Sequence, residues 1–379
     1  MSISAGSTKL PTLTGCRAFA AFAVFVGHAQ FMLWGPTEIS RWLGSAAMSG
    51  VEFFFILSGF ILTWSANTRE PVGPFWRRRI VKIYPNHVVA WALGLGAMAW
   101  AGYALSPGML FPNLFLVQGW IPEYDVYSSV NGVSWSLSCE LFFYLCFPLL
   151  LPAVRRIGPA QLKMWALLSV VAVVLVPLVA SHNFANSPQM PGLGITWKQF
   201  WFSYTLPATR VFEFGLGILL ARMVREGQLT FVRRRHALVA LCVGLPVSTQ
   251  VPYLYSISAV MALPLALTVV AVANADIARR PTLIGRPRAV WLGEISYAFY
   301  LVHQSVLVAA GAAFDVNAMT TGTVEKWAWF AGLLAVSVAV AALLYSSVER
   351  PAMRRFSRSP ALRREASALG RGVERDLAG

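Results

Sequence analysis

The chain reads as an all-α, multi-pass membrane protein, and three features of its sequence give that class. Hydrophobic residues make up 57% of its 379 residues and charged residues only 12%. The mean hydropathy is +0.59, and the Lys and Arg residues gather in alternate loops between apolar runs. A soluble enzyme of this length carries about 25% charged residues. Ten runs are long enough to cross about 30 Å of hydrocarbon: 13–34, 48–66, 83–104, 133–153, 164–181, 200–221, 237–251, 254–274, 290–311 and 327–348.

The cations set the orientation. With a cytoplasmic N-terminus, Arg77, Arg78, Arg79 and Lys82 fall inside, as do Arg155, Arg156, Lys163, Arg233, Arg234, Arg235, Arg279, Arg280, Arg286, Arg288 and the tail from Arg350. Of the 31 Lys and Arg residues only Arg41, Lys198 and Lys326 fall outside, and Arg17 and Arg210 lie within spans. That asymmetry satisfies the positive-inside rule, places both termini in the cytoplasm, and accounts for the net charge of +15 without nucleic acid. It holds only if the apolar piece from Met109 to Trp120 does not cross, so that piece is expected to be re-entrant or interfacial. The first run contains Arg17 and His28 and no cleavage site follows it, so it is a retained span rather than a signal peptide. The chain thus divides into a cytoplasmic segment 1–12, a membrane domain 13–350 and a basic tail 351–379. The tail is either a solvated end or lies along anionic head groups. Cys16, Cys139, Cys146 and Cys242 sit in apolar runs without CxxC spacing, so neither a metal site nor a disulfide framework is expected.

Ionisable residues inside spans are costly and mark function by default. They are Arg17, His28, Glu52, Glu140, Arg210, Glu213, Glu294 and His303, with Glu349 and Arg350 at the last boundary. At about 100° per residue, the eleven positions from Arg17 to His28 put both side chains on one face, about 16 Å apart along the axis. A neutral His28 imidazole is suited to accepting a proton from a hydroxyl; its plain alternative is a buried histidine bonded to a carbonyl. In GVSWSLSCELFFY, Ser136 and Glu140 are one turn apart, and with Ser134 and Ser138 they form a polar patch suited to binding a substrate hydroxyl or orienting an imidazole. In FWRRRIVKIYP, the four cations Arg77, Arg78, Arg79 and Lys82 are suited to binding phosphates, or serve topology alone. In GVEFFFILSGF, Ser58 and Gly59 allow close backbone approach or a bend, and Glu52 is either interfacial or a site carboxylate. Arg210 and Glu213, at i,i+3, read as an ion pair.

Taken together, these blocks resemble the membrane-bound acyltransferase family 3, the bacterial O-acyltransferases of polysaccharides and antibiotics. LTGCRAFAAFAVFVGH is similar to its first-helix signature. GVEFFFILSGF, RRRIVKIYP, SWSLSCELFFY, LGEISYAFYLVHQ and SSVERPAMRR are similar to five further blocks, in family order. The resemblance implies ten helices in the bacterial cell membrane and transfer of an acetyl or short acyl group from cytoplasmic acyl-CoA. Acyl-CoA is then a co-substrate, with no tightly bound cofactor and no metal. The acceptor is a hydroxyl of a sugar, a glycan or a glycosylated lipophilic product such as a macrolide. His28 falls on the catalytic histidine and Arg17 on its partner, with Glu140 or Ser136 orienting imidazole or acceptor and Arg77, Arg78, Arg79 and Lys82 binding the donor. Direct attack and an acyl-histidine intermediate both remain open. Two departures are visible: Thr14 stands where the family has an acidic residue, and Lys82 closes the basic RxxR element without a bidentate fork. The chain is expected to lack the external esterase-like domain of some members. The rival class is a transporter or lipid-linked sugar flippase, because spans with internal charges also describe translocation pathways. An inactive receptor is disfavoured because Arg17 and His28 are both intact.

Overall fold

The computed structural model describes residues 9–35, 37–66, 71–314 and 322–356. The expectations for residues 1–8 and for the tail beyond residue 356 lie outside the described residues. The helices are α1 (Pro11–Trp34), α2 (Glu38–Trp64), α3 (Val72–Trp100), α4 (Pro107–Leu114), α5 (Tyr124–Tyr127), α6 (Trp135–Arg156), α7 (Leu162–Asn183) and α8 (Trp197–Phe200). They continue with α9 (Pro207–Arg225), α10 (Arg234–Gln250), α11 (Tyr253–Ser258), α12 (Ala262–Ile277), α13 (Pro287–Ala313), α14 (Thr323–Leu344) and α15 (Arg350–Phe356). Among the described residues, extended pairing is limited to an isolated bridge between Gln189 and Thr196.

Among the described residues, seven segments are long and apolar enough to cross a membrane: α1, α2 from Arg41, α6, α7 with its leading turn, α11 with α12, α13, and the run through α14 and α15. The other three expected spans lie on α3, α9 and α10. Cations and amide or imidazole groups fill the first half of α3, α9 carries Arg210, Glu213, Arg222 and Arg225, and α10 has 17 residues. Two expected spans are also interrupted. The run 200–221 opens with a π-helical turn, Trp201–Thr205, and restarts at Pro207, whose missing N–H and ring cannot continue the preceding turn. The run 254–274 breaks between α11 and α12 at residues 259–261.

Packing follows small residues. The α2 span and the Tyr253–Ile277 span are each 72% buried, whereas the α7 and α14 spans are 22% buried and form the periphery. At the crossing of α2 and α9, a Cβ on Gly59 would lie 2.0 Å from the Phe214 carbonyl oxygen, and one on Gly217 would lie 2.0 Å from that of Ile56. Gly59 therefore serves close approach, not a bend. α1 and α13 meet in the same way, because a Cβ on Gly293 would sit 1.9 Å from the Thr14 carbonyl oxygen. Without a hydrophobic drive between helices in lipid, such backbone contact supplies much of the association. Asp276 on α12 anchors the start of α1. Its carboxylate accepts from the Thr12 amide at 2.9 Å, the Leu13 amide at 3.2 Å and the Thr12 hydroxyl, at the helix end that favours negative charge.

Over the piece from Met109 to Trp120, expected to be re-entrant or interfacial, the structure holds no helix long enough to cross a membrane. At eight residues, α4 is about 12 Å long, and the chain then runs through a tight turn at Gln118–Trp120 and the short α5. Irregular backbone at membrane depth must find its partners inside the protein. His87 Nε2 on α3 reaches the Asn113 and Leu114 carbonyls at 3.0 and 3.2 Å. Gln118 donates to Ser134 Oγ at 3.1 Å and accepts from Ser138 at 3.0 Å, and Ser134 donates to Asn113 Oδ1 at 3.2 Å. Ser134 and Ser138, read from sequence as a substrate patch, instead tie this segment to α6.

The glycine contacts make a sign prediction. Gly217→Ala drives a methyl into a backbone carbonyl and should destabilise by about 1–3 kcal/mol. Gly215→Ala, with nothing within 4 Å of its Cβ, should be neutral or stabilising by about 0.5–1 kcal/mol. Thermal unfolding in detergent reads both.

Candidate active site

α1 and α13 each bring one histidine to a shared point. His28 Nδ1 lies 2.9 Å from His303 Nε2, and the two rings are near parallel, with centroids 5.2 Å apart. His303 is fully buried. Phe299, one turn earlier on α13, stacks on it at 5.9 Å, and Phe25 packs against both rings. The proton positions follow from the acceptors. The Phe299 carbonyl, 3.3 Å from His303 Nδ1, only accepts. His303 Nδ1 therefore carries hydrogen, its Nε2 offers a lone pair, and His28 Nδ1–H donates to it. That leaves His28 Nε2 with a free lone pair, the state a general base requires.

His28 lines a cavity of about 600 Å³ at the C-terminal ends of α1, α3 and α13, with Phe31, Met32, Tyr103 and Gln304 among its walls. The Gln304 Oε1 has no hydrogen-bond partner, so an unused polar group stands beside the base.

The other sequence-derived residues lie toward the opposite end. Ser136 exchanges a hydrogen bond of 2.9 Å with the Tyr300 hydroxyl, one turn before His303, and donates to the Val133 carbonyl. It braces α13 and does not reach the imidazole. Glu140 accepts from Tyr144 at 3.3 Å, and its Coulombic partners are Arg17, Lys82 and Arg79. Glu140 or Ser136 is expected from the sequence to orient the imidazole or the acceptor; the imidazole's hydrogen bond runs to His303 instead, and Glu140 lies within Coulombic range of the cations. Tyr297 continues the polar seam, donating to the Ile83 carbonyl at 3.1 Å beneath the Lys82 ammonium, which lies 5.3 Å over its ring.

Arg17 opens on a second cavity of about 390 Å³, lined also by Lys82, Glu294, Glu349, Arg350 and Arg354. Of the four cations expected to bind a donor, only Lys82 lines it. Arg77 donates to the Phe356 carbonyl at 2.7 Å, and Arg79 lies over the Phe75 and Tyr144 rings at 5.5 and 5.8 Å. Arg78 does not line the cavity either. Arg210 and Glu213 form the expected ion pair at 3.0 Å, both 1% exposed. Glu52 is equally buried, with Arg210 and Glu213 within Coulombic range, so it is a carboxylate of the protein interior.

A helical membrane domain that sets a bonded histidine pair at one cavity and four cations at a second has the parts to move a group from one ligand to another. The chain belongs to the family described as "Acyltransferase domain", whose model matches residues 10–346. It is similar to "Acyltransferase MdmB" of Streptomyces mycarofaciens, 38% identical over 365 residues, covering 92% of this chain and 93% of that one. It is also similar to "Exopolysaccharide production protein ExoZ" of Rhizobium meliloti (strain 1021), 26% identical over 337 residues, covering 86% of this chain and 95% of that one. A third relative is "Putative peptidoglycan O-acetyltransferase YrhL" of Bacillus subtilis (strain 168), 24% identical, covering 92% of this chain and 56% of that one. No solved structure matches. The resemblance drawn from the sequence blocks is borne out, and the chain is a multi-pass membrane acyltransferase.

Sequence reading placed His303 among the buried ionisable residues without a role, because it lies 275 positions from His28 and no spacing rule joins them. His303→Phe keeps the ring volume and removes the acceptor. Acyl transfer should fall about 10²- to 10⁴-fold in kcat with little change in KM. His303→Gln, whose amide oxygen accepts the same hydrogen bond, should restore part of it. Equal rates in His303→Phe and wild type would remove the orienting role.

Proposed function

We propose that the protein is an O-acyltransferase of the bacterial cell membrane. It moves an acetyl or short acyl group from cytoplasmic acyl-CoA to a hydroxyl of a sugar, a glycan or a glycosylated lipophilic product such as a macrolide. The observation that carries this reading is the fixed proton chain from the Phe299 carbonyl through His303, which leaves His28 Nε2 as a base at the wall of a cavity. Ten spans with both termini cytoplasmic put the Arg17 cavity inside and the His28 cavity toward the outer face, in keeping with the cation asymmetry. The donor then enters past Arg17, with its pantetheine arm along the seam of Tyr297, Glu140, Ser136 and Tyr300. The acceptor enters beside Gln304.

In the reaction, His28 Nε2 takes the acceptor proton as the hydroxyl oxygen attacks the thioester carbonyl carbon. The carbon–sulfur bond breaks, and the imidazolium returns the proton to the departing thiolate. Direct attack is favoured over an acyl-histidine. An acyl group on Nε2 would occupy the one ring nitrogen not held by His303 and leave no base for the hydroxyl. The acceptor class draws support from the relatives, one named for exopolysaccharide production and one for peptidoglycan O-acetylation. The separation of Arg17 and His28, about 16 Å along α1, suits a long donor reaching inward better than a substrate passing through.

Purified protein in lipid should release CoA from acyl-CoA only when a hydroxylated acceptor is supplied. His28→Ala, at equal folded amounts, should be slower by about 10²- to 10⁴-fold. Comparable rates would remove His28 as the base, and acceptor movement without thiol release would favour the transporter reading.

A further inference from the structure

The basic cavity at the N-terminal end of α1 draws half of its positive charge from α15, the last described helix. Arg17 and Lys82 face it from α1 and α3, and Arg350 and Arg354 from α15. Positions i and i+4 share one helix face, so both arginines point the same way. Opposing these four cations are Glu294 and Glu349.

The charges are unequally engaged. Glu349 is 3% exposed and pairs with Lys82 through one oxygen. Its other oxygen accepts from Asn86 at 2.6 Å. Glu140 lies within Coulombic range of Arg17. Among the described residues the ion pairs are Lys82–Glu349, Arg210–Glu213 and Arg222–Glu226, and neither Arg350 nor Arg354 belongs to one. Both are solvent-exposed.

Their placement is built. Tyr345–Glu349 is a π-helical turn, a rare geometry that frequently occurs at functional sites. It joins α14 to α15 with Glu349 turned inward and Arg350 beginning the next helix. At the far end of α15, Arg77 holds the Phe356 carbonyl. α15 is thus pinned to α3 at both ends, through Lys82–Glu349 and Arg77–Phe356, with its two arginines facing the cavity between.

A cavity of about 390 Å³ falls in the range of small-molecule sites, about 300–1,000 Å³. Guanidinium groups match phosphate oxygens two at a time, which an ammonium cannot do. We propose that Arg350 and Arg354 hold the phosphates of the nucleotide end of acyl-CoA in this cavity, on a helix positioned by Glu349 and Arg77. The proposal rests on the acyl-CoA reading above. It also supplies the fork that Lys82 lacks: the bidentate groups come from α15 rather than from the basic run of α3.

The test is direct binding of coenzyme A by titration calorimetry, with the full chain in phosphatidylcholine nanodiscs. Arg350→Gln/Arg354→Gln should weaken binding at least about tenfold, and Arg350→Lys/Arg354→Lys should recover part of it. Arg355→Gln removes the same charge from the same helix, where the guanidinium lies over the Phe356 ring at 5.5 Å, and should bind as wild type does. Wild-type affinity in the double Gln variant overturns the proposal and leaves the donor reading standing. Wild-type protein that binds no coenzyme A overturns the donor reading and this proposal with it. A loss seen only when phosphatidylglycerol is added to the nanodiscs assigns the arginines to lipid headgroups and also overturns it.

Discussion

The hydrogen bond between His28 and His303 is the constraint on which the rest of the structure depends. It fixes the tautomer of His28, and it exists only because α1 and α13 approach at backbone distance. Gly293 against the Thr14 carbonyl brings the helices together at one end, and Asp276 fixes the first turn of α1. Phe25 and Phe299 fill the space around the imidazoles. A larger residue at Gly293 would act on His28 through the helix spacing, although it lies several turns away.

The same three helices carry both cavities. α1, α3 and α13 contribute to the His28 cavity with their C-terminal ends and to the basic cavity with Arg17, Lys82 and Glu294. Between them the polar groups are shared out: Ser136 with Tyr300, Glu140 with Tyr144 and the cations, Tyr297 with the Ile83 carbonyl. Ser136 and Tyr297 meet partners from another helix, whereas Glu140 bonds Tyr144 on its own helix and lies within Coulombic range of Arg17, Lys82 and Arg79 on α1 and α3. α6 supplies the first two of these pairs, and the re-entrant piece holds the start of α6 in place through Gln118, Ser134 and Ser138.

Local signals carried the helices well and their partners poorly. Hydropathy over about twenty residues gave the long apolar helices, and over the piece expected from the cation asymmetry to be re-entrant or interfacial the structure has only the short α4 and tight turns. The break at Pro207 before α9 interrupts the expected run 200–221, which hydropathy alone reads as continuous. The break between α11 and α12 falls just before Pro264, whose missing N–H and ring are tolerated only in the first turn of a helix. Arg17 and His28 were legible because eleven positions on one helix is a local relation. His303 as the orienting group was not, because its partnership is made by the fold. The cations of α3 looked like the donor site because they are dense in sequence, yet only Lys82 lines the cavity. Arg350 and Arg354 looked like ordinary boundary charges.

The central claim is that His28 is held neutral, with hydrogen on Nδ1 and its lone pair on Nε2, by His303. Nitrogen-15 NMR of histidine-labelled protein in lipid, with His28 and His303 assigned by substitution, reads the protonation of each ring nitrogen. The account predicts the Nδ1–H tautomer for both residues near neutral pH, and loss of the fixed His28 tautomer in His303→Phe. An Nε2–H tautomer or an imidazolium at His28 would contradict it.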